Sequence, residues 1–203
     1  MDVVHKMVTV DLGDGHLTVP TDSLVAAWLD RVMGKKPAPA PFIAVPRIGA
    51  EWPGQGGIYA GIMRGEDGQP DYHLIVPTDP TAYNEAVVWG SPGQDMTDAC
   101  SEYDGFANTV ALMRSEHSHP AAEWAADLEI GELCDFYLPS RRELRLMWTN
   151  VPELFVDGWY WSSTQYAPTP YDAWFQYFND GGQYHGLKSA EGRARAVRRL
   201  IIQ

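Results

Sequence analysis

The chain has 203 residues, a formal net charge of −12, 45% hydrophobic residues and 24 aromatic ones, the make-up of one medium globular domain with room for a small appendage. Its acid excess argues against nucleic acid and anionic lipid as partners, because binding either relies on clustered Lys and Arg that displace counterions. No apolar run reaches the roughly 18 residues of a membrane span, and Met1-Asp2-Val3-Val4-His5-Lys6 lacks the basic-then-apolar layout of a signal peptide.

The N-terminal residues read as a small unit over 1–35. Met7-Val8-Thr9-Val10-Asp11-Leu12 and His16-Leu17-Thr18-Val19 predict a hairpin closed by Gly13-Asp14-Gly15. A helix should follow, capped by Thr21, Asp22 or Ser23, with Leu24, Val25, Trp28, Leu29 and Val32 on one face and Gly34 ending it. The run around residues 36–41 alternates prolines with small residues and predicts a semi-rigid connector. An appendage this short buries too little core to stand alone, so it is expected to dock on a larger assembly, on copies of itself or on its own domain.

Residues 42–203 form the main domain in this reading. Gly57 to Met63 and Tyr72 to Val76 face each other as a hairpin across Arg64 to Asp71. Ala107 to Arg114 and Pro120 to Leu128 read as short helices. Ser140 stands three residues before Glu143, a capping-box spacing that predicts a third helix running to about Trp148. Trp159 to Thr164 and Ala173 to Phe178 are aromatic strands, and a last strand spans Ala194 to Ile202.

Charge and aromatic content divide differently along the chain. Residues 41–140 hold 16 acids and 3 bases, whereas 141–203 hold 6 acids and 8 bases. Ten of the 24 aromatics lie between Trp159 and Tyr184, where charge is sparse. In strand alternation Trp174, Gln176 and Phe178 point one way and Phe175, Tyr177 and Asn179 the other. One set can be core and the other an exposed, Tyr-rich contact surface, since Tyr gives amphipathic contact area at low entropic cost. Tyr166, Tyr171, Gln183, Tyr184 and His185, in the loops beside these strands, would extend that surface.

Other patterns carry less. His117, His119 and Glu123 have a spacing compatible with a metal but no third His and no HExxH pattern; polar residues at a helix start explain them, and no metal or cofactor is expected. Gln69-Pro70-Asp71 matches a galactose tripeptide of calcium-dependent lectins and Phe178-Asn179-Asp180 resembles their second calcium motif. The two lie over a hundred residues apart, and a Gly68-flanked turn accounts for the first. Cys100 and Cys134 stand in unrelated contexts and are read as buried thiols. No nucleophile elbow, phosphate loop or catalytic cysteine signature is present, so no catalytic residue is assigned.

Four motifs in order, Leu138-Pro139-Ser140-Arg141-Arg142-Glu143-Leu144, Tyr160-Trp161-Ser162-Ser163-Thr164, Ala173-Trp174 with Phe178 and Asp180-Gly181, and Arg195-Ala196-Val197-Arg198, resemble the C-terminal-domain family of collagen-like bacterial adhesins, common in phage and prophage. The resemblance covers roughly residues 42–203. It extends to the C-type-lectin-like fold in its formylglycine-generating-enzyme variant, which includes proteins diversified by retroelements. It implies an α+β domain with short helices around a twisted antiparallel sheet. Trp161, Ser162, Trp174, Phe178 and Arg198 would be scaffold, and the residues between them a binding face. The enzyme branch keeps two reactive cysteines in its C-terminal portion; none follows Cys134 here, so a non-enzymatic protein is expected. Some adhesin relatives bind sulfated polysaccharides. That ligand would require Lys188, Arg193, Arg195, Arg198 and Arg199 to cluster outward, whereas pairing of these arginines with the surplus carboxylates is the expected arrangement.

The resulting expectation is a phage or prophage tail-associated receptor-binding protein, made in the host cytoplasm and carried on the virion. It would contact other tail or virion subunits through its N-terminal unit and a bacterial surface receptor, glycan or protein, through Tyr166, Tyr171, Phe175, Tyr177, Asn179, Gln183, Tyr184 and His185. A homotrimer is compatible with that role. The alternative is a virion structural or decoration protein using the same aromatics for subunit contacts.

Overall fold

The computed structural model describes residues 7–11, 16–20 and 45–202. The chain divides into two compact units, Met1–Ala44 and Val45–Gln203. In the first, strands β1 (Met7–Asp11) and β2 (His16–Pro20) pair antiparallel with Met7 opposite Pro20 and Asp11 opposite His16. The helix and connector expected over 21–41 lie outside the described residues.

The second unit is α+β. Strands β3 (Glu51–Trp52), β4 (Gly57–Met63), β5 (Tyr72–Pro77) and β11 (Arg198–Ile201) form an antiparallel sheet in the order β11-β5-β4-β3. The β4–β5 hairpin is closed by a turn with Asp67 and Gly68 both at positive φ and Gln69 N–H donating to the Glu66 carbonyl, the pairing for which Asp-Gly is suited. A second sheet runs in the order β6-β10-β7-β8-β9, made of β6 (Tyr83–Val88), β7 (Trp159–Gln165), β8 (Asp172–Tyr177), β9 (Gln183–Leu187) and β10 (Glu191–Arg195). Its pairs are antiparallel except β10 with β7, which meet in parallel at Arg193 and Tyr160.

Three helices separate these strands in sequence. Asp104 caps α1 (Gly105–Met113) by accepting from Ala107 N–H at 2.9 Å. Pro120 opens α2 (Pro120–Ala126), and Glu123 reaches back to the His119 N–H at 2.7 Å. In α3 (Arg141–Asn150) the capping box is complete, Glu143 Oε2 accepting from Ser140 N–H at 2.6 Å and Ser140 Oγ from Glu143 N–H at 3.3 Å. That carboxylate is fully buried and also accepts the hydroxyls of Tyr137 at 2.6 Å and Tyr72 at 2.8 Å. Burial raises its pKa against the lowering effect of these donors.

Two main cores result. One packs Leu112, Ala121, Ala122 and Ala125 of α1 and α2 against Trp89, Trp161, Ala173 and Ala194. The other packs Leu144, Met147 and Val151 against Leu74, Val76, Tyr160 and Phe178. Each fully buried large apolar side chain contributes about 1.5–3 kcal/mol relative to exposure.

The structure alters three sequence expectations. The single C-terminal strand is two: β10 and β11 belong to different sheets, and the chain crosses between them at Ala196-Val197, where Val197 and Tyr137 exchange both backbone hydrogen bonds at 2.9 and 3.0 Å. Gln183, Tyr184 and His185 lie in strand β9 rather than a loop. Cys134 is exposed and Cys100 half-buried, so the thiols are not both interior.

Candidate functional site

Strand β8 holds the centre of the aromatic segment, with β7 on one side and β9 on the other. Register fixes which side chains share a face: Trp161 stands opposite Phe175 and Phe175 opposite Tyr184, while Trp159 stands opposite Tyr177. Phe175, Tyr177 and Tyr184 therefore stand together on one side of the sheet with Trp159 and Trp161. Ring centroids are 4.8 Å apart for Trp159 and Phe175, 5.6 Å for Phe175 and Tyr177, 6.2 Å for Phe175 and Tyr184, and 5.9 Å for Tyr177 and Tyr184. Burial is graded across this row: Trp161 is fully buried beneath the helices, Phe175 and Tyr177 are half-buried, and Tyr184 is 52% exposed.

The opposite face gathers a different group. Trp174 stands opposite His185, and Gln176 opposite Gln183. Arg141 lies over the Trp174 ring at 3.7 Å, donates from Nε to Gln183 Oε1 at 3.1 Å, receives the Gln183 amide on its carbonyl at 2.7 Å and pairs with Glu102. Tyr166 stacks on His185 at 3.8 Å and 2°, and His185 Nδ1 meets Asp172 Oδ2 at 2.9 Å. These groups are largely satisfied by one another.

The eight candidate residues thus fall on two faces and two turns. Phe175, Tyr177 and Tyr184 form one group, and Tyr166, Gln183 and His185 the other. Tyr171 is 54% exposed in the β7–β8 connection beside Gly93, and Asn179 is exposed in the β8–β9 turn. Alternation placed Trp174, Gln176 and Phe178 together as one set. Gln176 and Phe178 are buried, whereas Trp174 is half-covered by Arg141. Neither face is wholly core.

Sequence reading missed Trp159 and three glycines that shape the first face. A Cβ at Gly192 would fall 2.1 Å from the Trp159 ring, one at Gly182 2.5 Å from the Tyr184 ring, and one at Gly186 3.1 Å from the Phe175 ring. Each ring occupies the space above a glycine backbone, and neighbouring rings are tilted by 48° for Trp159 and Phe175 and by 38° for Phe175 and Tyr184. Gly182 and Gly186 are clearance positions for aromatic rings. A signal was present only at β9, where Gly182 and Gly186 stand two positions either side of Tyr184.

The remaining motifs are engaged in structure. His119 is fully buried edge-on to Trp89 at 5.2 Å, with neither ring nitrogen hydrogen-bonded. Burial and nearby Lys188 push its pKa down to about 4. Among the described residues no three His, Cys, Asp or Glu side chains gather to hold a metal. Asp71 accepts from Gly65 N–H and pairs with Arg64, and Asp180 accepts from Gly182 N–H, so both lectin-like tripeptides hold their own turns. Lys188 is buried and donates to the Gln94 carbonyl at 2.7 Å and Gln165 Oε1 at 2.6 Å; burial lowers its pKa to about 8. Arg198 pairs with Asp135 through two bonds, Arg199 pairs with Asp104, and Arg195 donates to the Pro77 carbonyl. These cations are engaged in separate internal contacts.

No protein-family model matches the chain, and no curated protein is significantly similar to it.

Proposed function

We propose that this chain is a non-enzymatic, phage or prophage tail-associated receptor-binding protein whose main unit is a C-type-lectin-like display domain. The observation that carries the reading is the row Trp159, Phe175, Tyr177 and Tyr184 on strands β7–β9: large rings, partly exposed, held by a hydrogen-bonded backbone. A surface of this kind supplies contact area with little ordering cost on binding, because the side chains are already positioned. The opposite face, with Arg141, Trp174 and Gln183 locked together, braces the strands from behind. The N-terminal unit would attach the chain to other virion subunits, and repeated copies on one particle would raise avidity without high affinity at each site.

Adsorption of virions carrying Tyr177→Ala and Tyr184→Ala tests this. Assembled particles should adsorb to host cells about tenfold more slowly, the equivalent of one lost aromatic contact. Wild-type adsorption by the double variant and by virions lacking the protein overturns the reading. Failure of particles to assemble assigns the same aromatics to subunit packing in a structural or decoration protein.

A further inference from the structure

We infer that the face of strand β10 carrying Arg193 and Arg195 binds a terminal phosphate group, as the free ion or a phosphomonoester, held by the two guanidinium groups and the Tyr83 hydroxyl. The inference is independent of the receptor-binding reading.

Strand geometry separates this place from the aromatic row. Alternation along β10 turns Gly192 toward Trp159 and Ala194 into the first core, which leaves Arg193 and Arg195 on the other side of the sheet. Register sets Tyr83 of β6 opposite Arg195, and Arg193 beside Tyr160 of β7. The β6–β10 ladder shifts register at Arg193, an irregularity of the kind that re-aims side chains.

The first argument is the missing carboxylate. Arg64, Arg141, Arg142, Arg198 and Arg199 each pair with one. In a chain with 27 acids against 15 lysines and arginines, neither Arg193 nor Arg195 has a carboxylate oxygen within 4.0 Å among the described residues. The acids nearby in sequence and strand order are Glu85, Asp157 and Glu191, all exposed, and Asp79, which accepts from the Thr81 N–H and hydroxyl. Burial depresses the Arg195 pKa, opposed by Tyr160 and Tyr83 and by no described acid.

The second argument is a seat without a bond. The Arg193 guanidinium lies against Gly158, where a Cβ would fall 2.4 Å from Nη1 and 3.0 Å from Cζ. Its Nε and that of Arg195 are covered and unpartnered, while Arg195 Nη2 donates to the Pro77 carbonyl at 2.6 Å. Both nitrogens Nη of Arg193, Arg195 Nη1 and the Tyr83 hydroxyl reach solvent and bond no described residue. A cation partly withdrawn from water attracts a counter-ion more strongly than one in bulk solvent.

The third argument is the number of donors. Three side chains supply these open donors. A terminal phosphate brings three oxygens and up to two negative charges, whereas a carboxylate brings two oxygens in one plane, enough for a single guanidinium fork.

Titration calorimetry on the full chain tests this, with inorganic phosphate and β-glycerophosphate as probes and acetate as the planar control, at fixed ionic strength. Phosphate should saturate, with half-occupancy at about 1 mM, and bind about tenfold or more tighter than acetate. Arg193→Gln removes no internal hydrogen bond, so it should keep the wild-type unfolding midpoint and weaken phosphate about tenfold. Arg193→Lys, which keeps charge without the fork, should recover part of that loss. Tyr83→Phe should cost about threefold. Binding of β-glycerophosphate as well as phosphate upholds the site as one for ester-borne groups, and binding of phosphate alone upholds it as one for the free ion. Absence of saturation with both probes overturns the inference, as does acetate binding equally well. Wild-type phosphate affinity in both Arg193→Gln and Tyr83→Phe overturns it too.

Discussion

His119 shows how one side chain couples this fold to pH. It has no exposed surface, its two nitrogens lack partners, and Gly90 leaves room beside Nδ1 that a Cβ would fill to within 2.5 Å. Burial and the Lys188 charge lower its pKa to about 4, with Glu123 opposing them and His117 adding a smaller depression. The unfolded chain, with an ordinary imidazole near 6.5, therefore takes up the proton first on acidification. Stability should fall as pH drops from about 6.5 toward about 4, with a slope from this group of up to about 1.4 kcal/mol per pH unit. His119→Leu removes the titration. Urea unfolding across that pH range should show a flatter acid limb for the variant. An unchanged limb would show that other groups carry the acid sensitivity.

At the scale of elements, the sheet bearing the candidate surface depends on glycines as much as on aromatics. Gly192 of β10 lies beneath Trp159 of β7, where a methyl group would stand 2.1 and 2.2 Å from two ring carbons, closer than packing allows. Gly192→Ala should therefore push Trp159 off the sheet. The expected cost is about 1–3 kcal/mol, typical of overpacking, accompanied by a red shift in tryptophan emission as the ring gains water. A substitution that leaves both emission and unfolding midpoint unchanged would mean that the ring has an alternative seat. The β9 strand shows the converse principle. Its Tyr184, His185 and Leu187 are exposed, so it is held by backbone pairing with β8 from Asp172–Leu187 to Gln176–Gln183 and by the Arg141–Gln183 and Asp172–His185 contacts on one face, with little apolar burial of its own.

At the scale of the main unit, the two sheets are joined through the crossing at Ala196-Val197 and through Arg195 of β10, which donates to the Pro77 carbonyl of β5, while Arg198 fastens β11 just past the crossing. Ala196 N–H donates to Ala82, Val197 pairs with Tyr137, and the Arg198 guanidinium bonds both carboxylate oxygens of Asp135 and the side chain and carbonyl of Gln55. One side chain thus ties β11 to the turn between β3 and β4 and to the segment leading into α3. Residues 45–202 are expected to unfold in one step. Arg198→Ala should lower stability by about 2–4 kcal/mol, since bidentate charge-assisted bonds are among the stronger polar contacts. Far-UV circular dichroism and tryptophan fluorescence should report the same shifted midpoint. Separate midpoints for the two probes would show that the sheets are not one cooperative structure.

Local signals in the chain were sufficient for elements whose determinants are close in sequence. The β4–β5 hairpin follows from its Asp-Gly turn, α3 from Ser140 and Glu143, and β7 and β8 from dense aromatic residues. Parity of strand positions also placed Phe175 and Tyr177 on one side. Tertiary structure decided what depends on partners far along the chain. Residues 194–202 have one strand-like pattern, yet a two-residue crossing sends its halves to different sheets because their hydrogen-bond partners, β6 and β5, lie in different layers. Taken locally, Gly182 and Gly186 carry only the general turn preference of glycine. In the fold their lack of a Cβ serves neighbouring rings, a requirement that exists only once β8 and β9 are paired. The division of the eight candidate residues between two faces arose in the same way. Composition made the segment aromatic, and strand register determined which rings meet.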